Sequence, residues 1–467
     1  LGNYTSASFD DTGNIIDRGY AAARRLHDEL VQLGVDRETY ARYRDERQLR
    51  RQARPVIVDI AVDDRGQQLE KLVKARVSQP VGASLDTAGL EQDLQQLYGM
   101  QLFDIVDYHV EPVSGDDASE PGGVLVIEPV PKATGPLRFE LGFELLENFD
   151  GDTAFELSLA TTAVNLNSLA AEWRTEIGLG EITGLTTEYY QPFTYDGDWF
   201  GSAHYTNALG NVFRSSDTGS IGEYRFHRNV VGLDIGRQVT DSGSLRIGIR
   251  KGQLDTTLRQ GDPLLFPEQE FDVGDVVMSF HYDSMDSFSF PTSGTRIDLR
   301  FESAQPGLGA SGDGEFASLE ALSAVNWFKD NLLLGVTLES VLSGDRYRTQ
   351  GVSLGGITQL SGFERDELVG QHLGLARAIY YRYLGRDPDR LIDVPLYAGF
   401  TLETGNVWED SSEISSGDLV LGGSVFVALD TFLGPVGLAY GRNSDGVDAF
   451  YLSIGTITGP TFRQFEY

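Results

Sequence analysis

Few residues in this sequence could do chemistry, and their spacing excludes most of it. The glycine-rich stretch GGITQLSGFERDELVG, residues 355–370, sets Ser361 beside Gly362 and close to Arg365. A phosphate cradle needs Gly-Lys-Ser/Thr opening a helix, and no lysine follows Lys329. A hydrolase nucleophile needs Gly-x-Ser-x-Gly to present its hydroxyl on a tight turn, but the local order is Gln-Leu-Ser-Gly-Phe. GLGASGDG, residues 307–314, comes near that pattern, with Asp313 where the closing glycine belongs. His27, His109, His204, His227, His281 and His372 are scattered, without the paired spacing of a zinc site. Asp150/Asp152 and Asp196/Asp198 could meet calcium, but they lie in turn-forming segments where Asp and Gly are expected for conformational reasons. The absence of cysteine removes disulfides, thiolate metal sites and cysteine nucleophiles. The residues themselves point to no catalytic, cofactor or metal site.

Composition narrows the setting. Over 467 residues, 37 Lys and Arg face 70 Asp and Glu, a formal charge of −33 that repels nucleic-acid phosphates. No stretch approaches the roughly 18 apolar residues of a spanning helix, which leaves membrane β-barrels untouched because their strands merely alternate. With 54 Gly and 20 Tyr, the chain favours many short strands and tight turns. It opens on Leu1 without a leader, so the start is expected to have been cut from a longer precursor.

The elements that must position Ser361 fall into three regions. Residues 1–54 read as two helices ending in a basic linker: NIIDRGYAAARRLHDELVQLG puts Ile15, Ala22, Leu26 and Leu30 near one face, and DRETYARYRDERQLRRQ follows as a solvated one. Residues 55–134 read as a β-α-α-β-β unit in which Leu90, Leu94 and Leu97 share a helix face and Asp86 or Thr87 caps it. Its next strand turns Val106, Tyr108 and Val110 to one side.

From 135 to 467 the helical period disappears. With EYRFHRNVVGLDIGRQV taken as one strand, seven strands precede the expected long loop LDTTLRQGDPLLFPEQEFD, four lie between it and Gly355, and five follow Gly370. Sixteen is even, as a closed antiparallel barrel with both ends on one side requires. In LRFELGFELL the residues Leu137, Phe139, Leu141, Phe143 and Leu145 share one face, and Arg138, Glu140, Gly142 and Glu144 the other. A soluble sandwich and a membrane barrel produce the same alternation. The length of the run favours the barrel, as do Tyr189, Tyr190, Phe193, Tyr195, Trp199 and Phe200 clustered at strand ends.

Two families share these patterns. LDTAGLEQDLQQLYGMQLFDIVDYHVEP resembles a POTRA domain, a periplasmic module that offers sheet edges to passing chains. YDSMDSFSFPTSGTRIDLRFE, FTLETGNVW, LDTFLGPVGLAYGRN and FYLSIG resemble, in order, the strand signatures of the BamA/TamA-like outer-membrane barrel superfamily. That resemblance implies a sixth extracellular loop folded back into the barrel, its Val/Ile-Arg-Gly-Phe/Tyr tip falling on Leu360, Ser361, Gly362 and Phe363. The family arginine is therefore Ser361. Glu403, in the same stretch as Gly405, stands where relatives carry an aspartate on the barrel wall facing that arginine. Two replacements are open: Arg365 supplies the charge, or the Ser361 hydroxyl bonds to Glu403. Restoring the motif by Ser361→Arg is on this basis expected to keep or raise heat stability.

A third resemblance is short. LGNYTSASFDDTGNIIDRGYAAARRL is similar to the last turn and helices of patatin-like phospholipase domains, but their Gly-x-Ser-x-Gly serine and Asp-Gly-Gly/Ala aspartate are absent, so these residues should not hydrolyse lipid. Together the resemblances imply an all-β transmembrane barrel of 16 antiparallel strands at 135–467, a small α+β POTRA domain at 55–134 and a helical segment at 1–54. The implied setting is the outer membrane of a Gram-negative bacterium, with POTRA and N-terminus in the periplasm. The implied function is export, display or anchoring of a fused patatin-like phospholipase, without a cofactor. The alternatives are a stand-alone factor inserting other barrels, a passive porin-like barrel and a soluble acidic β-protein. The implied partners are outer-membrane lipid, the barrel assembly machinery and the patatin-like domain; a homodimer stays open, and nucleic acid is excluded. The first strand, near Leu137, is expected to meet the last, near Phe450, at a seam where such barrels open.

Overall fold

The computed structural model describes residues 12–52, 55–64, 69–100, 102–113, 122–132, 137–147, 149, 153–215, 221–240, 242–264, 268–344, 351–385, 394–431 and 434–455. Packing divides the chain into two units, one of residues 1–61, 79–91 and 108–126, the other of 62–78, 92–107 and 127–467. Among the described residues no helix is long and apolar enough to cross a membrane.

The N-terminal segment folds as α1 (Thr12–Arg25), α2 (His27–Gln32) and α3 (Arg37–Gln52). The first expected helix breaks at Leu26, whose N–H bonds Ala23 O in a tighter three-residue turn. Helix α3 runs on through the basic stretch expected as a linker, capped by Asp36, which accepts from Thr39 N–H at 2.9 Å. Ile16, Tyr20, Leu26, Leu30 and Val31 all stay exposed.

Three strands, β1 (Val56–Val62), β2 (Phe103–Pro112) and β3 (Gly122–Pro131), form a sheet in the order β1-β3-β2, accompanied by α4 (Glu70–Arg76) and α5 (Thr87–Gly99). Asp86 caps α5 by accepting from the N–H groups of Ala88 and Gly89. Ile57, Leu72, Val73, Leu90, Leu97, Leu125 and Ile127 are almost wholly buried.

The rest is a closed antiparallel barrel of sixteen strands. In chain order these are β4 (Leu137–Glu147), β5 (Thr153–Ala163), β6 (Glu172–Gly180), β7 (Thr183–Pro192), β8 (Trp199–Ser215), β9 (Ile221–Thr240), β10 (Gly243–Gln260) and β11 (Gln269–Asp283). They continue as β12 (Gly294–Ala304), β13 (Gly314–Trp327) and β14 (Asp330–Ser343). After a loop holding the short hairpin β15 (Val352–Leu354) and β16 (Leu368–Gly370) come β17 (His372–Gly385), β18 (Leu396–Trp408), β19 (Val420–Thr431), β20 (Gly434–Asn443) and β21 (Asp448–Ile454).

The barrel is turned inside out relative to a water-soluble core. Leu141 is 70% exposed and Leu233 58%, whereas Glu144 and Asp234, on the opposite faces of the same strands, are 6% and 5% exposed. An apolar band of this size on the outside of a closed sheet belongs in hydrocarbon, where closure also leaves no backbone edge unpaired. The loop expected over residues 254–272 shrinks to 261–268. Leu254 points inward with Val230 and Val273 in one apolar cluster, and that packing extends both flanking strands. The seam is also displaced: β21 meets β4 at Leu145–Glu147, not near Leu137, because tilted barrel strands close with a stagger.

Candidate functional site: the inward-folded loop

The long connection between β14 and β17, residues 344–371, carries GGITQLSGFERDELVG. Its hairpin pairs Val352 with Gly370 and Leu354 with Leu368, and the tip beyond it turns into the barrel. Thr358, Leu360 and Ser361 have no solvent exposure, and Phe363 has only 6%. The tip is tightly wound: Thr358, Leu360 and Asp366 have positive φ, as do Gly355, Gly356 and Gly362. At Gly362 a Cβ would lie 2.7 Å from Asn443 N and 2.9 Å from Val447 O, so only glycine passes this close to β20 with φ at 107°.

The wall is shaped to receive it. Gly422 of β19 and Gly441 of β20 face the tip, and a Cβ on either would strike Ser361 at 2.9 and 2.8 Å. Into this space the chain directs polar groups, each of which would cost about 1–3 kcal/mol if left unpaired, and all but the Thr358 hydroxyl are held as follows. Ser361 Oγ donates to Glu403 Oε1 at 2.9 Å, and the Ser361 N–H donates to the other carboxylate oxygen. The Gly362 N–H donates to Tyr451 Oη at 2.9 Å, whose own O–H donates to Phe363 O at 2.8 Å. Tyr451 lies on β21, so the loop is fastened directly to the strand that closes the barrel.

Of the two replacements left open for the missing loop arginine, the serine hydroxyl meets Glu403. Arg365 turns elsewhere, pairing at 3.0 Å with Glu181 in the turn between β6 and β7. A positive charge is nonetheless present at the tip, supplied by the wall. Arg377 of β17 stands directly across from Glu403 in the strand register, donates to Thr358 O at 3.3 Å and pairs with Glu320 at 2.8 Å. Gly405 holds no part of the tip; a Cβ there would meet Gly374 O and Leu375, whose side chain joins Leu354, Leu360 and Phe363 in an apolar cluster. Sequence reasoning missed Arg377, Glu320 and Tyr451. A signal existed for Arg377, the single basic residue among positions 373, 375, 377, 379 and 381, which share the inward face.

The remaining candidates are dispersed. Asp196 caps its own turn, accepting from Asp198 N–H at 3.2 Å, while Asp150 and Asp152 lie outside the described residues. His109, His204, His227 and His281 each stand beside one carboxylate, and His372 beside Ser340. Ser311 accepts from Asp272 N–H at 2.7 Å in a loop turn.

A closed sixteen-stranded barrel, apolar outside, with a loop drawn into its lumen and fastened to its last strand, defines a membrane-type β-barrel with an internal loop. The comparisons agree. Residues 165–372 match the Omp85 superfamily domain. Among solved structures, the chain is similar to BamA from Haemophilus ducreyi lacking POTRA domains 1–3, with a TM-score of 0.62 at 11% identity over 86% of this chain and 84% of that one. CdiB from Acinetobacter baumannii gives 0.55 at 11% over 86% and 74%, and CdiB from Escherichia coli 0.54 at 14% over 86% and 76%. No curated protein matches the sequence. An Omp85 superfamily domain thus spans residues 165–372 of this barrel, and the structural matches share its fold.

Proposed function

We propose that this chain is the translocator and anchor of a larger outer-membrane protein: the barrel carries or displays a passenger, the region 55–134 serves as a periplasmic POTRA unit, and the N-terminal helices end a patatin-like domain. The observation that supports translocation is the seam. Among the described residues, β21 and β4 share three register pairs, Leu452↔Glu147, Ser453↔Leu146 and Ile454↔Leu145, whereas β4 and β5 share eleven. At about 1 kcal/mol net per backbone hydrogen bond, this is the least costly place to part the wall. The loop tip grips the same closing strand through Tyr451, so loop position and seam are mechanically linked.

Support for the passenger is of another kind. Ile16, Tyr20, Leu26, Leu30 and Val31 are between 48% and 64% exposed, apolar helix surface that a preceding domain would cover. Hydrolysis would then belong to that domain, since the residues here lack its catalytic serine and aspartate. The natural absence of cysteine permits a clean test. Cysteines at Ser453 and Leu146, directly paired across the seam, should lock it under oxidation and abolish surface display of the passenger, with recovery on reduction. Undiminished display from quantitatively cross-linked protein would rule the seam out as the route.

A further inference from the structure

The connection between β11 and β12, residues 284–293, is the opposite of a loose turn. Barrel connections alternate between the two ends, so it lies at the end away from the long loop. Its sequence, SMDSFSFPTS, sets Asp286 before, and Thr292 and Ser293 after, two phenylalanines. Asp286 ties the segment into a closed ring: it accepts from Thr292 N–H at 2.7 Å, Ser293 N–H at 3.1 Å and Ser293 Oγ at 3.2 Å, and also from the Thr292 hydroxyl. The ring directs Phe290 into the lumen, where it is 4% exposed. There it stacks on Tyr397 of β18, with centroids 3.9 Å apart, and meets Tyr381 of β17 edge-on at 5.6 Å. The Tyr381 hydroxyl donates to Pro291 O, closing the segment against the wall.

Phe290 belongs to one apolar cluster with Leu322, Leu333, Ile379, Phe426 and Tyr451, and Ile357 of the loop tip packs against that same cluster from the other end. The lumen beside β13–β21 is thus filled from both mouths, and the two fillings share their partners. Each is also pinned separately, the loop by Glu403, Arg377 and Tyr451, the turn by Asp286 and Tyr381.

We propose that residues 284–293 are a second plug, so that withdrawing the long loop alone leaves this side of the lumen shut. The plug is a built-in lock: passage through the β13–β21 side requires release of Phe290 as well as release of Ser361. The inference concerns the lumen and stands whether or not the chain carries a fused passenger.

Conductance in planar bilayers tests it with four proteins: the wild type, Phe290→Ala, a chain with residues 356–365 replaced by two glycines, and the combination. Each single change should leave conductance near the wild-type level. The combination should exceed the product of the single effects by at least about twofold, the lower bound for groups that share partners. Loop removal alone reaching the level of the combination would overturn the proposal, as would a folded combination that conducts no better than the wild type. Accessibility gives an independent reading. Phe290→Cys in the loop-deleted barrel should react with a water-soluble thiol reagent far more slowly than Ser287→Cys, which is exposed at the same turn. Equal rates would show that Phe290 is released when the loop leaves.

Discussion

Between β4 and β11 the inward side chains include Glu144, Glu156, Glu176, His204, Asp234 and Arg250; between β12 and β21 they include Leu322, Leu333, Ile379, Tyr381, Phe426 and Tyr451. The first side is organised by charge. Asp234 takes Arg250 at 2.7 Å and Ser202 at 3.2 Å, with His204 at 3.3 Å, while Glu144 stands directly across from Glu156, a like-charged pair that a dry core would not tolerate. The second side is organised by volume, and both inward-folded segments are fastened to it. One barrel therefore contains half a water-facing wall and half a protein core. The charged side borders the seam through β4, whereas the packed side holds the seam's other strand in place through Tyr451. This division can be broken or sharpened at graded cost.

The largest effect is expected where the packed side contains a charge. Glu403→Ala removes the acceptor of two buried donors on Ser361 and leaves Arg377 with less to offset it. A loss of about 4 kcal/mol is expected, read from urea unfolding of the folded barrel in micelles. A change under about 1 kcal/mol would mean that water already serves these donors. Next come two adjacent leucines on opposite faces of β14. Leu333, 1% exposed, lies in the packed cluster, while Leu334, 48% exposed, faces lipid. Leu333→Ala should cost about 3 kcal/mol, transfer plus cavity, and Leu334→Ala about 1.5 kcal/mol, since lipid can fill the space. Equal costs would show that the packed side is not a core at all.

Ser361→Arg follows, and geometry reverses what the motif alone suggests. Ser361 has no exposure, lies against Gly441 and Gly422, and shares its carboxylate with a wall already carrying Arg377. A second guanidinium would overfill the site beside a like charge, so a loss of about 2 kcal/mol is expected. A rise in the unfolding temperature would show instead that Arg377 yields its place. Arg365→Ala, by contrast, removes a pair at the mouth whose side chains are 31% and 36% exposed. About 0.5 kcal/mol is expected, fading in high salt. This small figure separates the loop's exposed ion pair with the charged side from its buried ties to the packed side.

How much of this was legible depends on whether the information is local. Alternation in stretches such as LRFELGFELL is local, so sixteen strands and the two faces of each could be read directly, while which face turns inward required the length of the run and the family resemblance. The Ser361–Glu403 pairing was one of two open choices, because residues 42 positions apart meet only through the loop's path. Arg377 required strand register, which no single strand reveals: its role follows from lying across from Glu403. The staggered seam and the shortened loop at 261–268 depend likewise on tilt and cross-strand packing. FSFP was read as part of a strand signature, and nothing in its own pattern says that Phe290 turns inward, since the rings receiving it are about a hundred residues away.

The smallest effect concerns the turn that aims Phe290. Burial, the largest single influence on the Asp286 carboxyl, raises it, but the hydroxyls and N–H groups of Thr292 and Ser293 together outweigh it, so the group titrates below its ordinary value. A carboxylate whose folded value is depressed contributes stability that is complete above the unfolded value, near 3.9, and is lost as pH falls through the folded one. The unfolding temperature of the barrel should therefore decline more steeply below about pH 4 in the wild type than in Asp286→Asn, which keeps a side-chain acceptor but no titrating charge. Because the carboxylate is exposed, its hydrogen bonds compete with water and the difference should be modest. Its informative part is the coupling: if the ring aims Phe290, acid should also raise thiol reactivity at Phe290→Cys relative to Ser287→Cys, and should leave Ser361, which is held by the other set of ties, no more accessible than before.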